Sequence, residues 1–176
     1  ENGLDSSTCG DVTVIFARGT GETGNVGTIS GPPMFKSLRA KLGDKVVVQG
    51  VDYPASAAGN VNMGAAGGPA MAESVKAARS KCPNSKIVLS GYSQGAMVVH
   101  NAFRQGVSST DVSGAVLFGD PLKTQKVGDL SDAKIEQFCG TSDTICGTGT
   151  SPTGGHLSYG SVADEAADFA IQVAGL

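Results

Sequence analysis

Five short runs rich in β-branched and other apolar residues constrain this chain most: "VTVIFAR" (12–18), "KVVVQGV" (45–51), "KIVLSG" (86–91), "GAVLFGD" (114–120) and "KIEQFCG" (134–140). Their apolar residues are nearly continuous, with no strict alternation. That is the pattern of strands covered on both faces, as in a parallel sheet. Helix-like stretches separate them. "PPMFKSLRAKLG" (32–43) opens on proline and closes on glycine, and "GPAMAESVKAARSK" (68–81) places Met71, Val75 and Ala78 at helical spacing. "QGAMVVHNAFRQG" (94–106) follows the third run directly. "SVADEAADFAIQV" (161–173) opens on a Ser161-x-x-Asp164 capping pattern, with Val162, Ala166, Phe169 and Val173 on one stripe. Strands alternating with helices over 176 residues, without a repeat or a composition break, predict one α/β domain spanning 1–176. Its expected form is a five-stranded, mostly parallel sheet with helices on both faces.

Charge narrows the partners. Thirteen Lys+Arg against 16 Asp+Glu leave a net charge of −3 with no like-charge run, so neither nucleic acid nor an anionic membrane surface is expected. No apolar run reaches the roughly 18–20 residues that cross a bilayer. The chain opens on Glu1 without an apolar leader core, so a soluble, processed form is expected. The four cysteines, Cys9, Cys82, Cys139 and Cys146, lack C-x-x-C spacing and suit two disulfides in an oxidising compartment. Cys9 and Cys82 each precede a strand, at the amino edge of the sheet. Cys139 and Cys146 lie at and beyond the carboxyl end of the last strand. Cross-pairing would have to bridge about 17–20 Å of strand, whereas disulfide Cα atoms lie within about 7 Å. The expected pairs are therefore Cys9–Cys82 and Cys139–Cys146, which leaves the cysteine–histidine stretch 139–156 without thiolates for a metal.

Two glycine motifs compete for the chemistry. Gly19-Thr20-Gly21-Glu22-Thr23-Gly24 is a G-x-G-x-x-G after the first strand, and Asp52 could imitate a ribose-binding acid. The third glycine of a dinucleotide loop lies in a helix, however, and here "NVGTISGPP" follows, so no nucleotide cofactor is expected. Gly91-Tyr92-Ser93-Gln94-Gly95 is a G-x-S-x-G between a strand and a helix. Such a turn lifts a serine hydroxyl above the carboxyl edge of the sheet beside a helix amino terminus, where N–H groups stabilise an oxyanion.

A nucleophilic serine needs a base. His100 sits about two turns along the helix after Ser93 and reads as a surface or half-buried helix residue. His156, in the loop after the last strand, lies at the edge where Ser93 emerges. For the orienting acid, Asp129 and Asp132 fall at the opposite edge. Asp143, inside the short cysteine ring, is favoured, and Asp120, ending its strand at the correct edge, remains a competitor. The Gln94 N–H and the N–H and hydroxyl of Thr20 are the candidate oxyanion donors.

Taken together, "FARGTGETGNVG", "CPNSKIVLSGYSQGA", "GAVLFGDP" and "CGTSDTICGTGTSPTGGHLSYG" resemble the cutinases, small secreted serine esterases of fungi. The resemblance spans nearly the whole chain. It implies a lidless three-layer α/β-hydrolase fold, no cofactor or metal, a secreted monomer, and hydrolysis of cutin-like polyesters and short acyl esters. It implies Ser93, Asp143 and His156 as the triad, Thr20 and Gln94 as the oxyanion positions, and the same two disulfides. Tyr92 and Leu157 are expected at the substrate. One stretch departs from the family. Between the acid loop and the histidine, where relatives are apolar, this chain reads "GTGTSPTGG". Each buried CH₂ contributes about 0.8 kcal/mol, so a polar wall predicts a preference for short acyl groups. Acetylxylan esterases of the same superfamily are the nearest alternative. A nucleotide-binding oxidoreductase and an inactive binding protein on the same fold stand further off.

Overall fold

The computed structural model describes residues 1–147 and 155–176. Five strands, β1 (Val12–Ala17), β2 (Val46–Gly50), β3 (Lys86–Tyr92), β4 (Gly114–Phe118) and β5 (Ile135–Phe138), form one sheet in the order β2-β1-β3-β4-β5. Every pairing is parallel, so the sheet is wholly rather than mostly parallel. β1, β3 and β4 are buried along almost their full length, while β2 and β5, with one neighbour each, are only partly so. That is why the inner runs are continuously apolar and the last is not.

Two cores follow from the strand alternation. Val12, Val14 and Phe16 of β1 point to the face covered by α1 (Gly31–Leu42) and α4 (Ala163–Val173), where Met34, Phe35, Leu38, Ala166 and Ala170 meet them. Ile15 and Ala17 point to the face covered by α2 (Gly68–Lys81) and α3 (Gln94–Arg104), against Met71, Val75, Val98 and Val99. Each fully buried side chain of this kind contributes about 1.5–3 kcal/mol. Cys9–Cys82 and Cys139–Cys146 are both formed, with Cα separations of 5.6 and 5.9 Å, so the expected pairing holds. Among the described residues, no helix is long and apolar enough to cross a membrane.

The last helix departs from expectation. A short 3₁₀ turn, Tyr159–Val162, precedes α4, and Ser161 does not cap it. The Ser161 hydroxyl donates to the Ser158 carbonyl instead. Asp164 accepts from the Ser37 hydroxyl of α1 at 2.6 Å, so a partner on another helix takes the place of the local cap.

Strand order fixes where a site can form. From β1 the chain moves outward to β2, then returns across β1 to β3. The loops after β1 and β3 therefore leave toward opposite faces and open a crevice at the carboxyl edge between them.

Candidate active site

Ser93 is the single residue between β3 and α3 and has φ 59° and ψ −116°. A side-chain-bearing residue in that region costs about 1–3 kcal/mol, so the surroundings must hold it there. They leave no room beside it. A Cβ on Gly91 would fall 2.2 Å from the Gly95 carbonyl oxygen, and one on Gly95 would fall 1.9 Å from that of Ala17. The two glycines of the motif are thus steric requirements of the bend. Between residues 87 and 102 every residue except Ser93 is buried. Its N–H donates to the Phe118 carbonyl at 2.9 Å, tying it to β4. Gln94 is the first residue of α3, so its N–H has no partner within the helix and lies at the positive end of the dipole.

The loop after β1 is built around one carboxylate. Glu22 Oε1 accepts from the Gly19 N–H at 2.9 Å, and Oε2 accepts from those of Thr28 and Ile29 at 2.9 and 3.1 Å. A carboxylate therefore occupies the centre of the loop and takes up the N–H groups of Gly19, Thr28 and Ile29. With no helix until Gly31, the turn does not suit a pyrophosphate. What it presents is Thr20, which is exposed. Thr20 Oγ1 accepts from Gln94 Nε2 at 2.9 Å and from Asn60 Nδ2 at 3.0 Å. With two donors on the oxygen, the threonine's own hydrogen must point away from both. Asn60 was invisible to sequence reasoning because it belongs to no motif and reaches Thr20 across 40 residues.

Asp143 and His156 meet on the other side of Ser93. The Asp143 side chain is fully buried inside the Cys139–Cys146 ring. Oδ1 accepts from the Ile145 N–H at 2.8 Å, and Oδ2 accepts from His156 Nδ1 at 2.8 Å and from the Tyr159 hydroxyl. Burial alone would raise its pKa, but the Tyr159 hydroxyl, the His156 ring and the Ile145 N–H together hold the carboxyl below the usual range. An ionised Asp143 only accepts, so Nδ1 carries the hydrogen and neutral His156 has its basic lone pair on Nε2. The imidazole rests on Gly119, where a Cβ would come 2.7 Å from His156 Cε1 and 3.1 Å from Asp143 Oδ2. Gly119 directly follows Phe118, the residue that anchors Ser93. The serine, imidazole and carboxylate are thus gathered around the end of β4.

Tyr92 sits differently from expectation. It is buried, with its ring 4.9 Å from that of His156 between centroids and its hydroxyl donating to the His156 carbonyl at 2.7 Å. It props the histidine from below and does not face solvent. Tyr159, which sequence reasoning left without a role, holds Asp143 and also accepts from the Gly140 N–H at 3.0 Å. The available signal was a tyrosine three residues after the histidine, buried in an otherwise polar loop.

The histidine set aside as base and the competing aspartate pair with each other. His100 is buried rather than half-exposed, and its Nε2 lies 2.6 Å from Asp120 Oδ2. Asp129 binds the Ser109 N–H and hydroxyl away from Ser93, and Asp132 opens the short turn into β5. Cys139, Cys146 and Asp143 cluster closely enough to suggest a metal, but the sulfurs are bonded to each other and offer no thiolate. Leu157, next to His156, is 75% exposed. Val61, 84% exposed, and Met63 follow Asn60 on the Thr20 side, and Ile145 lies on the Asp143 side. The stretch expected to set acyl preference lies, apart from Gly147 and Gly155, outside the described residues.

A cutinase family model matches residues 8–173. Cutinase 4 of Emericella nidulans is 51% identical over 98% of this chain and 75% of its own length. The cutinase of Botryotinia fuckeliana is 42% identical over 98% of this chain and 88% of its own. Among solved structures, Trichoderma reesei cutinase in complex with a phosphonate inhibitor superposes with a TM-score of 0.86. It is 43% identical and covers 94% of this chain and 77% of that one. An acetyl xylan esterase superposes at 0.76 with 25% identity, covering 96% of this chain and all of its own. With its wholly parallel five-stranded sheet and its serine set between two obligatory glycines, this chain belongs to the cutinase family and is a carboxylic ester hydrolase.

Proposed function

We propose that this single domain, 1–176, is a secreted, monomeric serine esterase that cleaves cutin-like polyesters and short acyl esters with Ser93, His156 and Asp143. Ser93 Oγ attacks the acyl carbon while its proton passes to His156 Nε2. The developing oxyanion takes the N–H groups of Gln94 and Thr20 and the Thr20 hydroxyl, whose hydrogen Asn60 and Gln94 have turned outward. Collapse breaks the C–O ester bond, and the leaving alkoxide takes the proton from His156 and departs as alcohol. Water then attacks acyl-Ser93, giving its proton to His156. The second collapse releases the carboxylic acid and returns the proton to Ser93. Asp143 holds the imidazole in the Nδ1–H form throughout and stabilises the imidazolium.

The observation that carries this reading is the Asp143–His156 hydrogen bond seated on Gly119, beside the strained bend that exposes only Ser93. A phosphonate probe is expected to add once, at Ser93. Ser93→Ala is expected to remove the label and lower kcat by roughly 10⁶-fold with an unchanged circular dichroism spectrum. Labelling elsewhere would sink the assignment.

Polyester supports the substrate class better than xylan acetate does. Exposed Val61, Met63, Ile145 and Leu157 offer apolar contacts to an acyl chain, and the cutinase relatives are far closer in sequence than the acetyl xylan esterase. Acetate release from acetylated xylan exceeding monomer release from cutin would reverse this choice. Because the 147–155 stretch is nearly all polar or small, rates on p-nitrophenyl esters are expected to peak at short acyl groups. A maximum at lauroyl or longer would overturn that preference. Disulfides at both edges of the sheet support an oxidising, extracellular location.

A further inference from the structure

His100 and Asp120 form a second aspartate–histidine pair, and its position in the fold is specific. His100 belongs to α3, the helix that begins at the residue after Ser93. Asp120 directly follows Gly119, the residue on which His156 and Asp143 rest. Both side chains are buried.

The pair is fully engaged. Asp120 Oδ1 accepts from the Leu122 N–H at 2.8 Å, and Oδ2 accepts from Gln137 Nε2 of β5 at 2.9 Å and faces His100 Nε2 at 2.6 Å. His100 Nδ1 lies 3.1 Å from the Lys126 carbonyl oxygen, which only accepts, so Nδ1 donates there. Three elements, α3, the end of β4 and β5, are thereby joined at one carboxylate. The charged side chains bordering the 220 Å³ cavity beside His100 are Arg104 and Lys126; Asp120 is the ionisable group in contact with the ring.

We infer that the His100–Asp120 pair is a cross-brace that sets the distance between Ser93 and His156. The serine rides on the start of α3, and the histidine's seat, Gly119, rides on the end of β4. Ser93 is tied to that end by its own N–H to the Phe118 carbonyl, and Gly119 is tied to β5 by its N–H to the Phe138 carbonyl at 2.8 Å. These backbone bonds hold the strand ends in register but leave the tilt of α3 to its side chains. The buried bond between His100 and Asp120 fixes that tilt relative to the seat. His100 and Asp120 are positioning residues that touch no substrate, and the inference rests on Ser93 and His156 reacting as proposed above.

Two substitutions at position 100 separate a brace from a mere core residue. In His100→Gln the amide nitrogen falls where Nε2 was and still donates to Asp120. In His100→Asn it falls where Nδ1 was, keeping the Lys126 contact but not reaching Asp120. Rates are taken per active site titrated with the phosphonate on a soluble short-chain ester. Gln is expected within about threefold of wild type, and Asn is expected to lose roughly 10- to 100-fold in kcat with KM unchanged. Asp120→Asn, a second variant that keeps shape and the Leu122 contact, is expected to lose kcat in the same way. Combined with His100→Asn it should add little, because both break one bond. Equal kcat for Gln and Asn, a loss confined to KM, or losses that multiply in the double variant would overturn the brace. Should His100→Asn not fold, the kcat-against-KM split of Asp120→Asn decides alone. Wild type that fails to take the phosphonate at Ser93 would count against the active-site reading; labelled wild type with indistinguishable Gln and Asn variants would count against the brace only.

Discussion

Two aspartate–histidine pairs flank Gly119, and the contrast between them lies in what each imidazole is left able to do. In the first, Asp143 takes Nδ1 of His156, and the ring, on a loop after β5, remains 24% exposed. In the second, the ring of His100 is 6% exposed, sits within a helix, and has both nitrogens against oxygen atoms. A general base must accept a proton and return it within reach of substrate. A structural tie must be dry and satisfied at both ends. On the roles proposed above, the same two residue types take different tasks according to their burial.

Exchanging each aspartate for asparagine should break the contrast most sharply. Asp143→Asn leaves the seat intact but favours the wrong tautomer, and kcat is expected to fall by about 10⁴-fold with the fold retained. Asp120→Asn should cost far less turnover but about 3 kcal/mol of stability, because it weakens a fully buried, multiply bonded group. Urea titrations and steady-state rates on both variants check the reversal; equal kcat losses would erase the distinction.

Tyr159→Phe sharpens it, since the extra donor on Asp143 is a tyrosine hydroxyl where that on Asp120 is the Gln137 amide. Removing the hydroxyl is expected to cost about tenfold in kcat and about 1.5 kcal/mol at neutral pH. The sign of the pH effect follows from Asp143, whose folded pKa is depressed. Its ionised form stabilises the native state above the ordinary carboxylate pKa, and that contribution is lost as pH falls through the lowered folded value. Without Tyr159 the folded value moves back up, so the stability gap between wild type and variant should close in acid. Thermal melts from neutral pH downward test this; a gap that widens in acid would contradict it.

The disulfides carry the smallest expected effects on turnover and divide along the same line. By loop length, replacing Cys9 and Cys82, 73 residues apart, should cost about 4 kcal/mol, and replacing Cys139 and Cys146, 7 apart, about 2.5 kcal/mol. Yet only the short ring encloses Asp143, so only its loss should lower kcat per titrated site, by severalfold. A drop in kcat on removing Cys9–Cys82 would count against this division.

Much of the architecture could be read from residue order. All five strands appear within two residues of their expected limits, because a parallel strand covered on both faces needs an apolar run. α1 and α2 open near their prolines, and α1 ends at Gly43, whose φ of 63° suits glycine. The start of α4 was misread because Ser161 and Asp164 hydrogen-bond outside a cap, the latter to α1. His100 was misread because α3 is buried at every position from Gln94 to Ala102, so periodicity could not tell which side chain finds a polar partner. Tyr92 was misread because the strand alternation that carries it inward was not followed to its last residue.

The bend at Ser93 was legible because its causes are adjacent in the chain: a strand end, two glycines and a helix start, governed by steric contacts over five residues. The short ring around Asp143 is local for the same reason. The partnerships of Thr20 with Asn60 and Gln94, of Asp143 with Tyr159, and of His100 with Asp120 were not. Each depends on strand order and on the tilt of one element over another. A hydrogen bond is directional and short, so an ångström of packing decides whether it forms. Composition and spacing named the candidate groups, and the assembled sheet determined which of them face one another.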